Sequence, residues 1–179
     1  VALRGLTILP GMIAHFDISR ERSLRAVEEA MEQDQKIYLV TQRNVDSEDP
    51  TQEDLYQMGI VADIKQVVRL QNDVVRILVD GISRAALLGF TGNEKYLEAE
   101  ICYCDSNADS LPEDLREAML LGVREAFHRY AAVIGKISKE LIRQIDQYED
   151  LEKLIDYVTN NLPVSYELKQ QVLEAEDIN

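Results

Sequence analysis

Two cysteines and two histidines are all that this chain of 179 residues offers as soft ligands or thiol nucleophiles. Cys102 and Cys104 lie two apart, so on a strand they share a face; they neither close on each other easily nor make a disulfide framework, and a reducing cytoplasm suits them. A zinc site normally takes four such groups at short, regular spacings, whereas His15 and His128 are scattered far from the cysteine pair, so no metal site is expected. Positive charge is also scarce. Nineteen Lys and Arg face 33 Asp and Glu, for a net charge of −14 that is shared equally between residues 1–108 and 109–179. Such a surface repels a phosphate backbone, which argues against nucleic acid as a partner. No apolar run approaches the ~20 residues a spanning helix needs, so no membrane contact is expected, and no signal peptide opens the chain.

What is present is ordinary globular composition, 46% apolar and 29% charged, enough to bury a core in one large or two small lobes. The chain starts at Val and enters a strand-like segment at once, which reads as a piece of a longer protein. Leu6–Leu9 is expected as a short strand stopped by the turn pair Pro10-Gly11, and Met12–Phe16 as a second. Ser19 is a candidate N-cap for a helix that places Leu24, Val27 and Met31 on one face. Lys36–Thr41 reads as a buried strand, and the acidic stretch Asn44–Gln52 as a solvated loop. Ile60–Leu70 and Val74–Val79, separated by Gln71-Asn72-Asp73, predict a hairpin, with another strand, Ile82–Phe90, after the Asp80-Gly81 turn. Tyr96–Cys104 alternates as a half-buried strand does.

At Asp105 the period changes to that of helices. Ser110 and Glu113 form a predicted capping box, and Leu115, Met119, Val123, Phe127, Tyr130 and Ile134 follow at helical steps until Gly135. Ser138 opens a second helix, Leu151–Leu162 forms a third that stops at Pro163, and Ser165 opens a last one. The expected fold class is therefore α+β: a β-rich lobe with an inserted helix over residues 1–106, then an all-α helical bundle over 107–179.

Five strings in the first half carry a resemblance: L-R-G-L-T-I-L-P-G-M from Leu3, S-L-R-A-V-E-E-A-M from Ser23, I-Y-L-V-T-Q-R from Ile37, G-I-V-A-D-I-K-Q from Gly59 and V-R-I-L-V-D-G-I-S-R-A from Val75. In this order they resemble the N-terminal domain of the Lon family of ATP-dependent proteases, bacterial type. The resemblance implies a lobe like the pseudouridine-synthase-associated (PUA) fold followed by a helical bundle. It also implies a cytoplasmic, non-catalytic role in recognising unfolded or degron-bearing protein substrates and in supporting a homo-hexamer. ATP and magnesium would belong to an ATPase domain elsewhere in the parent, as would its Ser–Lys dyad; no cofactor is expected in this chain. The residues agree. The only Gly-Lys, Gly135-Lys136, has Tyr130 where a P-loop needs its first Gly and Ile137 where it needs Ser or Thr, and Ser138-Lys139 is not the dyad.

No catalytic residue is expected, and the candidate substrate contacts are apolar residues in turns. Pro10 and Met12 flank one tight turn, and Leu70 and Val75 flank the Gln71–Asp73 tip. Together they would form an exposed patch, with Met supplying an adaptable surface; alternatively, Leu70 and Val75 cap the core of the sheet. Three other readings compete. One is a stand-alone adaptor or ligand-binding module of the same family without an ATPase. RNA binding by fold analogy is opposed by the charge, and a hydrolase built on His15 or His128 has no supporting spacing.

Overall fold

A computed structural model of the chain describes residues 1–104 and 111–175. Among these, residues 1–104 with Ser165–Glu174 make one compact unit and residues 111–164 another. The predicted lobe boundary near residue 106 and the Ser110 end of the predicted capping box lie outside the described residues.

The first unit is a six-stranded sheet in the order β1-β3-β4-β5-β2, with β6 also on β5. Its strands are β1 (Ala2–Leu3), β2 (Ile13–Ile18), β3 (Lys36–Thr41), β4 (Met58–Arg69), β5 (Val75–Phe90) and β6 (Ala99–Tyr103), and α1 (Glu21–Glu32) is inserted between β2 and β3. All pairings are antiparallel except β1 on β3. The first half of β5 pairs with β2 and the second half with β6. The core is aliphatic: Leu3, Ile8, Ile37, Leu39, Ile60, Ile64, Ile77 and Val79 from the sheet side, with Val27 and Ala30 of α1.

Three expectations change here. Val75–Phe90 runs as one strand through Asp80-Gly81. Gly81 is there for close approach and not for a turn: a Cβ on it would lie 2.4 Å from the Leu9 carbonyl oxygen and 2.9 Å from Ile60 Cδ1, a gap only glycine tolerates. Leu6–Leu9 is not a strand. Thr7, Ile8 and Leu9 are buried, and side chains take over the hydrogen bonding a ladder would supply: Thr41 Oγ1 donates to the Leu6 carbonyl at 2.9 Å and also meets the Thr7 hydroxyl at 2.9 Å. Finally α5 (Tyr166–Glu174), expected in the helical lobe, belongs to the β unit. Its buried Gln170 is the anchor: Nε2 donates to the Met58 carbonyl at 2.9 Å, and Oε1 accepts from Thr7 at 3.2 Å. A buried amide needs such partners, and β4 and the N-terminal segment provide them.

The second unit follows the sequence punctuation. Helix α2 (Glu113–Ile134) ends at Gly135, whose φ of 65° is the left-handed cap conformation. Ser138 Oγ accepts from the Leu141 amide at 3.1 Å to start α3 (Lys139–Gln147), and Asp150 caps α4 (Leu151–Asn161) in the same way through Lys153. Phe127, Ile145, Leu151 and Leu154 form its core.

Candidate functional site

One face of the first unit's sheet packs on α1 and the N-terminal segment; the other is open. The register fixes which side chains share that open face. Ile13 of β2 is opposite Asp80, His15 opposite Leu78 and Asp17 opposite Arg76; on the other side of β5, Asp63 is opposite Asp80, Gln66 opposite Leu78 and Val68 opposite Arg76. Side chains alternate along each strand, so Ile13, Leu78 and Val68 lie on successive diagonals, spaced about 7–8 Å. Leu70 continues the diagonal beyond Val68, and Ile82, which the register of β4 on β5 skips between Gly81 and Ser83, is exposed two residues past Asp80. Ile13 is 68% exposed, Ile82 44%, and Val68 and Leu70 39% each. An apolar ridge therefore crosses three strands in solvent.

Charge pairs border the ridge on both sides. Arg76 donates twice to Asp17, at 2.7 and 2.9 Å, and these bonds hold the Asp17 carboxyl below its ordinary range. Toward β3, Lys65 and Lys36 donate to Asp63 at 3.2 and 3.3 Å and depress it likewise, and Lys65 also approaches Asp80 at 3.8 Å. Neutralising one another, these pairs leave the ridge as the apolar feature of a face that is otherwise charged.

The four residues expected to form a patch do not assemble. Gly11 donates to the Gly81 carbonyl at 2.8 Å and Gly81 to the Met12 carbonyl at 3.0 Å, which fixes the Pro10-Gly11 turn beside the middle of β5. Val75 pairs with Ile18 at the start of β5, six residues and about 20 Å away along the strand. Met12 and Val75 both pack against the core, which settles for Val75 the alternative of capping the sheet. Leu70 does not: it sits exposed beside the tip and joins the ridge, while Pro10 is half-buried in its turn. Sequence reasoning missed Ile13, Val68 and Ile82. Their signal is weak, because Ile13 and Ile82 each stand among polar neighbours of the same parity, as in Ile13-x-His15-x-Asp17, and Val68 has Gln66 on one side; only the strand register brings Ile13 and Val68 into one feature.

A second apolar feature lies where edge strands β1 and β6 flank one cavity of about 210 Å³ under α1. Val40, Leu87, Phe90 and Leu97 form its walls, and alanines at Ala2, Ala26, Ala30 and Ala99 leave the space. Glu29 and Glu98 stand at its rim with Tyr96, whose phenol is pushed up by burial and then by these two carboxylates.

The remaining chemistry-bearing groups are dispersed. His15 is on the open face; His128 Nε2 lies 2.8 Å from Asp146 Oδ1, tying α2 to α3. Cys102 is exposed and Cys104 has its sulfur 3.8 Å from that of Met58. Among the described residues no three His, Cys, Asp or Glu side chains are grouped to hold a metal ion, and no helix is long and apolar enough to cross a membrane. Gly135-Lys136 follows the end of α2, not the strand-to-helix turn that cradles a nucleotide phosphate, so these residues do not fit ATP or its magnesium.

Comparison with known proteins agrees with the resemblance in the sequence. The family described as the ATP-dependent protease La (LON) substrate-binding domain matches residues 1–179. The Lon protease of Lachnoclostridium phytofermentans is 36% identical over 178 residues, which cover 99% of this chain and 22% of that protein. The Lon protease of Clostridioides difficile is 35% identical over 181 residues, 99% of this chain and 23% of that protein. The chain thus spans about a fifth of the length of these curated relatives. Among solved structures, the N-terminal domain of Mycobacterium avium complex Lon protease superposes with a TM-score of 0.78 at 18% identity, covering 99% of this chain and 89% of that one. That likeness supports the α+β fold. The chain belongs to the Lon protease family, as its N-terminal substrate-binding domain.

Proposed function

We propose that this domain recognises unfolded or degron-bearing protein chains for a cytoplasmic ATP-dependent Lon protease, and that the apolar ridge on the open sheet face is where it holds them. The ridge carries the reading: Ile13, Val68 and Leu70 are exposed on one face, with Ile82 exposed at the neighbouring bulge of β5, and exposed apolar surface of this kind marks an interaction site. The domain cuts nothing itself. ATP hydrolysis and peptide-bond cleavage fall to the rest of the parent, which accords with relatives that continue far beyond the matched segment. A single ridge this narrow gives weak binding. In a homo-hexamer, six copies raise the effective concentration of substrate beside the ring, and avidity supplies what one site lacks. The same relatives favour this reading over a stand-alone adaptor.

The test is a double substitution, Ile13→Ser with Val68→Ser, on residues that contribute little to the core. Binding of a chemically denatured model substrate to the chain, read by fluorescence anisotropy, should fall while thermal stability stays within ~0.5 kcal/mol of the parent sequence. Unchanged binding by the folded variant would exclude the ridge as the place where substrate is held.

A further inference from the structure

We infer that the cavity between β1 and β6 is a specificity socket that takes one apolar side chain, preferentially aromatic, of a protein segment in which that residue is flanked by Lys or Arg. This rests on the substrate-recognition reading and deepens it.

Size sets the first condition. At about 210 Å³ the cavity is smaller than the ~300–1,000 Å³ of sites that enclose a whole small-molecule ligand. Yet it exceeds the ~150 Å³ in which an apolar cavity takes up a benzene ring. One side chain of Phe or Leu size is the occupant that fits. The lining sets the second: Val40, Leu87, Phe90 and Leu97 are apolar, and the polar side chains that also line it are already engaged, Gln33 on Glu29, Lys36 on Asp63 and the Tyr38 hydroxyl on the Ala85 carbonyl, so a polar occupant would lose water with little replacement.

Charge sets the third. Glu29 and Glu98 share the rim, and both act on the Tyr96 phenol between them. Their hydrogen bonds go to neutral groups: Glu29 accepts from Gln33 Nε2 at 2.7 Å and Glu98 from the Thr91 hydroxyl. Among the described residues neither carboxylate is paired with a cation, and Lys36, which also lines the cavity, is bound to Asp63, in a chain of net charge −14. A cation next to the buried residue is favoured there and a carboxylate is repelled. The open-face ridge shows no such bias, because its neighbouring charges are paired with each other.

The experiment uses blocked, fluorescent nonapeptides of Gly and Ser with a central triplet Arg-Phe-Arg, Arg-Ser-Arg or Glu-Phe-Glu, titrated by anisotropy at low salt against the full chain. A denatured protein is titrated in parallel. Arg-Phe-Arg should bind about tenfold tighter than Arg-Ser-Arg, the scale of burying one aromatic side chain, and severalfold tighter than Glu-Phe-Glu, with the second difference shrinking as salt rises. Ala26→Leu fills the cavity from α1 with a strong helix former and should abolish the preference for Phe. Glu29→Gln with Glu98→Gln, on the rim, should abolish the preference for Arg and keep that for Phe. Binding of denatured protein with no preference for Phe, or a preference that survives in folded Ala26→Leu, overturns the socket and leaves the recognition reading intact. Failure of both peptide and denatured protein to bind overturns both. Self-association that Ala26→Leu abolishes would assign the cavity to a second copy of this chain and overturn the proposal.

Discussion

Replacing Gly81 with Ala tests the packing that creates the open face. The added methyl carbon would sit 2.4 Å from the Leu9 carbonyl oxygen, 2.9 Å from Ile60 Cδ1 and 3.2 Å from Ile8 Cγ2. The nearest of these is backbone, and it cannot retreat freely. The Pro10-Gly11 turn is clamped to β5 by the bonds from Gly11 to Gly81 at 2.8 Å and from Gly81 to Met12 at 3.0 Å. Overpacking costs ~1–3 kcal/mol, and loosening one clamp bond adds ~1 kcal/mol. Reduced freedom of the unfolded chain returns ~0.4–1 kcal/mol. The net expectation is a loss of about 1–3 kcal/mol, or about 2–4 °C in Tm for each kcal/mol in a chain of this size. Gly122→Ala is the control of opposite sign. Gly122 lies within α2, and a Cβ added to it would meet nothing within 4 Å, so the better helix former should stabilise by ~0.5–1 kcal/mol. Thermal unfolding followed by circular dichroism, with hydrogen exchange at the residue 11 and residue 81 amides, reads both. If Gly81→Ala left stability and exchange unchanged, the close approach would be wrong, and Asp80-Gly81 would be better read as a turn.

Two further expectations concern the same unit. Gln170→Ala removes the amide that joins α5 to the Met58 carbonyl and to Thr7; it should cost ~1–3 kcal/mol and speed hydrogen exchange in α5, and protected α5 amides would contradict the anchor. Asp17 and Asp63 are held below the ordinary value of 3.8 by hydrogen bonds from Arg76 and from Lys65 with Lys36. A depressed carboxylate contributes stability that is present above its unfolded value and is lost as pH falls through the folded one. Stability should therefore decline less steeply below about pH 4 in a variant with Asp17→Asn and Asp63→Asn than in the parent sequence; parallel profiles from acid titration would deny both pairs a role.

The ends of the later helices were readable because they are written in local chemistry, whereas α1 starts after Arg20 with no side-chain cap and not at the expected Ser19. Gly135, Ser138 and Pro163 act within a turn of where they stand, so α2, α3 and α4 end or begin where the punctuation places them. β3 was equally plain. What stayed hidden depends on partners distant in sequence. Gly81 looks like a turn residue until Leu9 is known to lie against it. Gln170 looks like a solvated helix residue until Met58 and Thr7, 112 and 163 positions away, supply its hydrogen bonds. The expected patch is dispersed for the same reason: Met12 lies beside Gly81 and Val75 beside Ile18, both half-buried against the core, whereas Ile13 and Val68 reach solvent from opposite sides of β5. Apolar residues beside turns were a fair signal of exposure for Leu70 alone.

The most direct measurement is an NMR titration of the isotope-labelled chain with a denatured model substrate and with the same protein folded. Substrate recognition by the ridge predicts shifts with the denatured form only, centred on Ile13, Val68, Leu70, Leu78 and Ile82, with a second set at Leu87, Phe90 and Leu97 where the cavity takes a side chain. Shifts confined to residues 111–164, or an unperturbed spectrum from a well-folded sample, would contradict it.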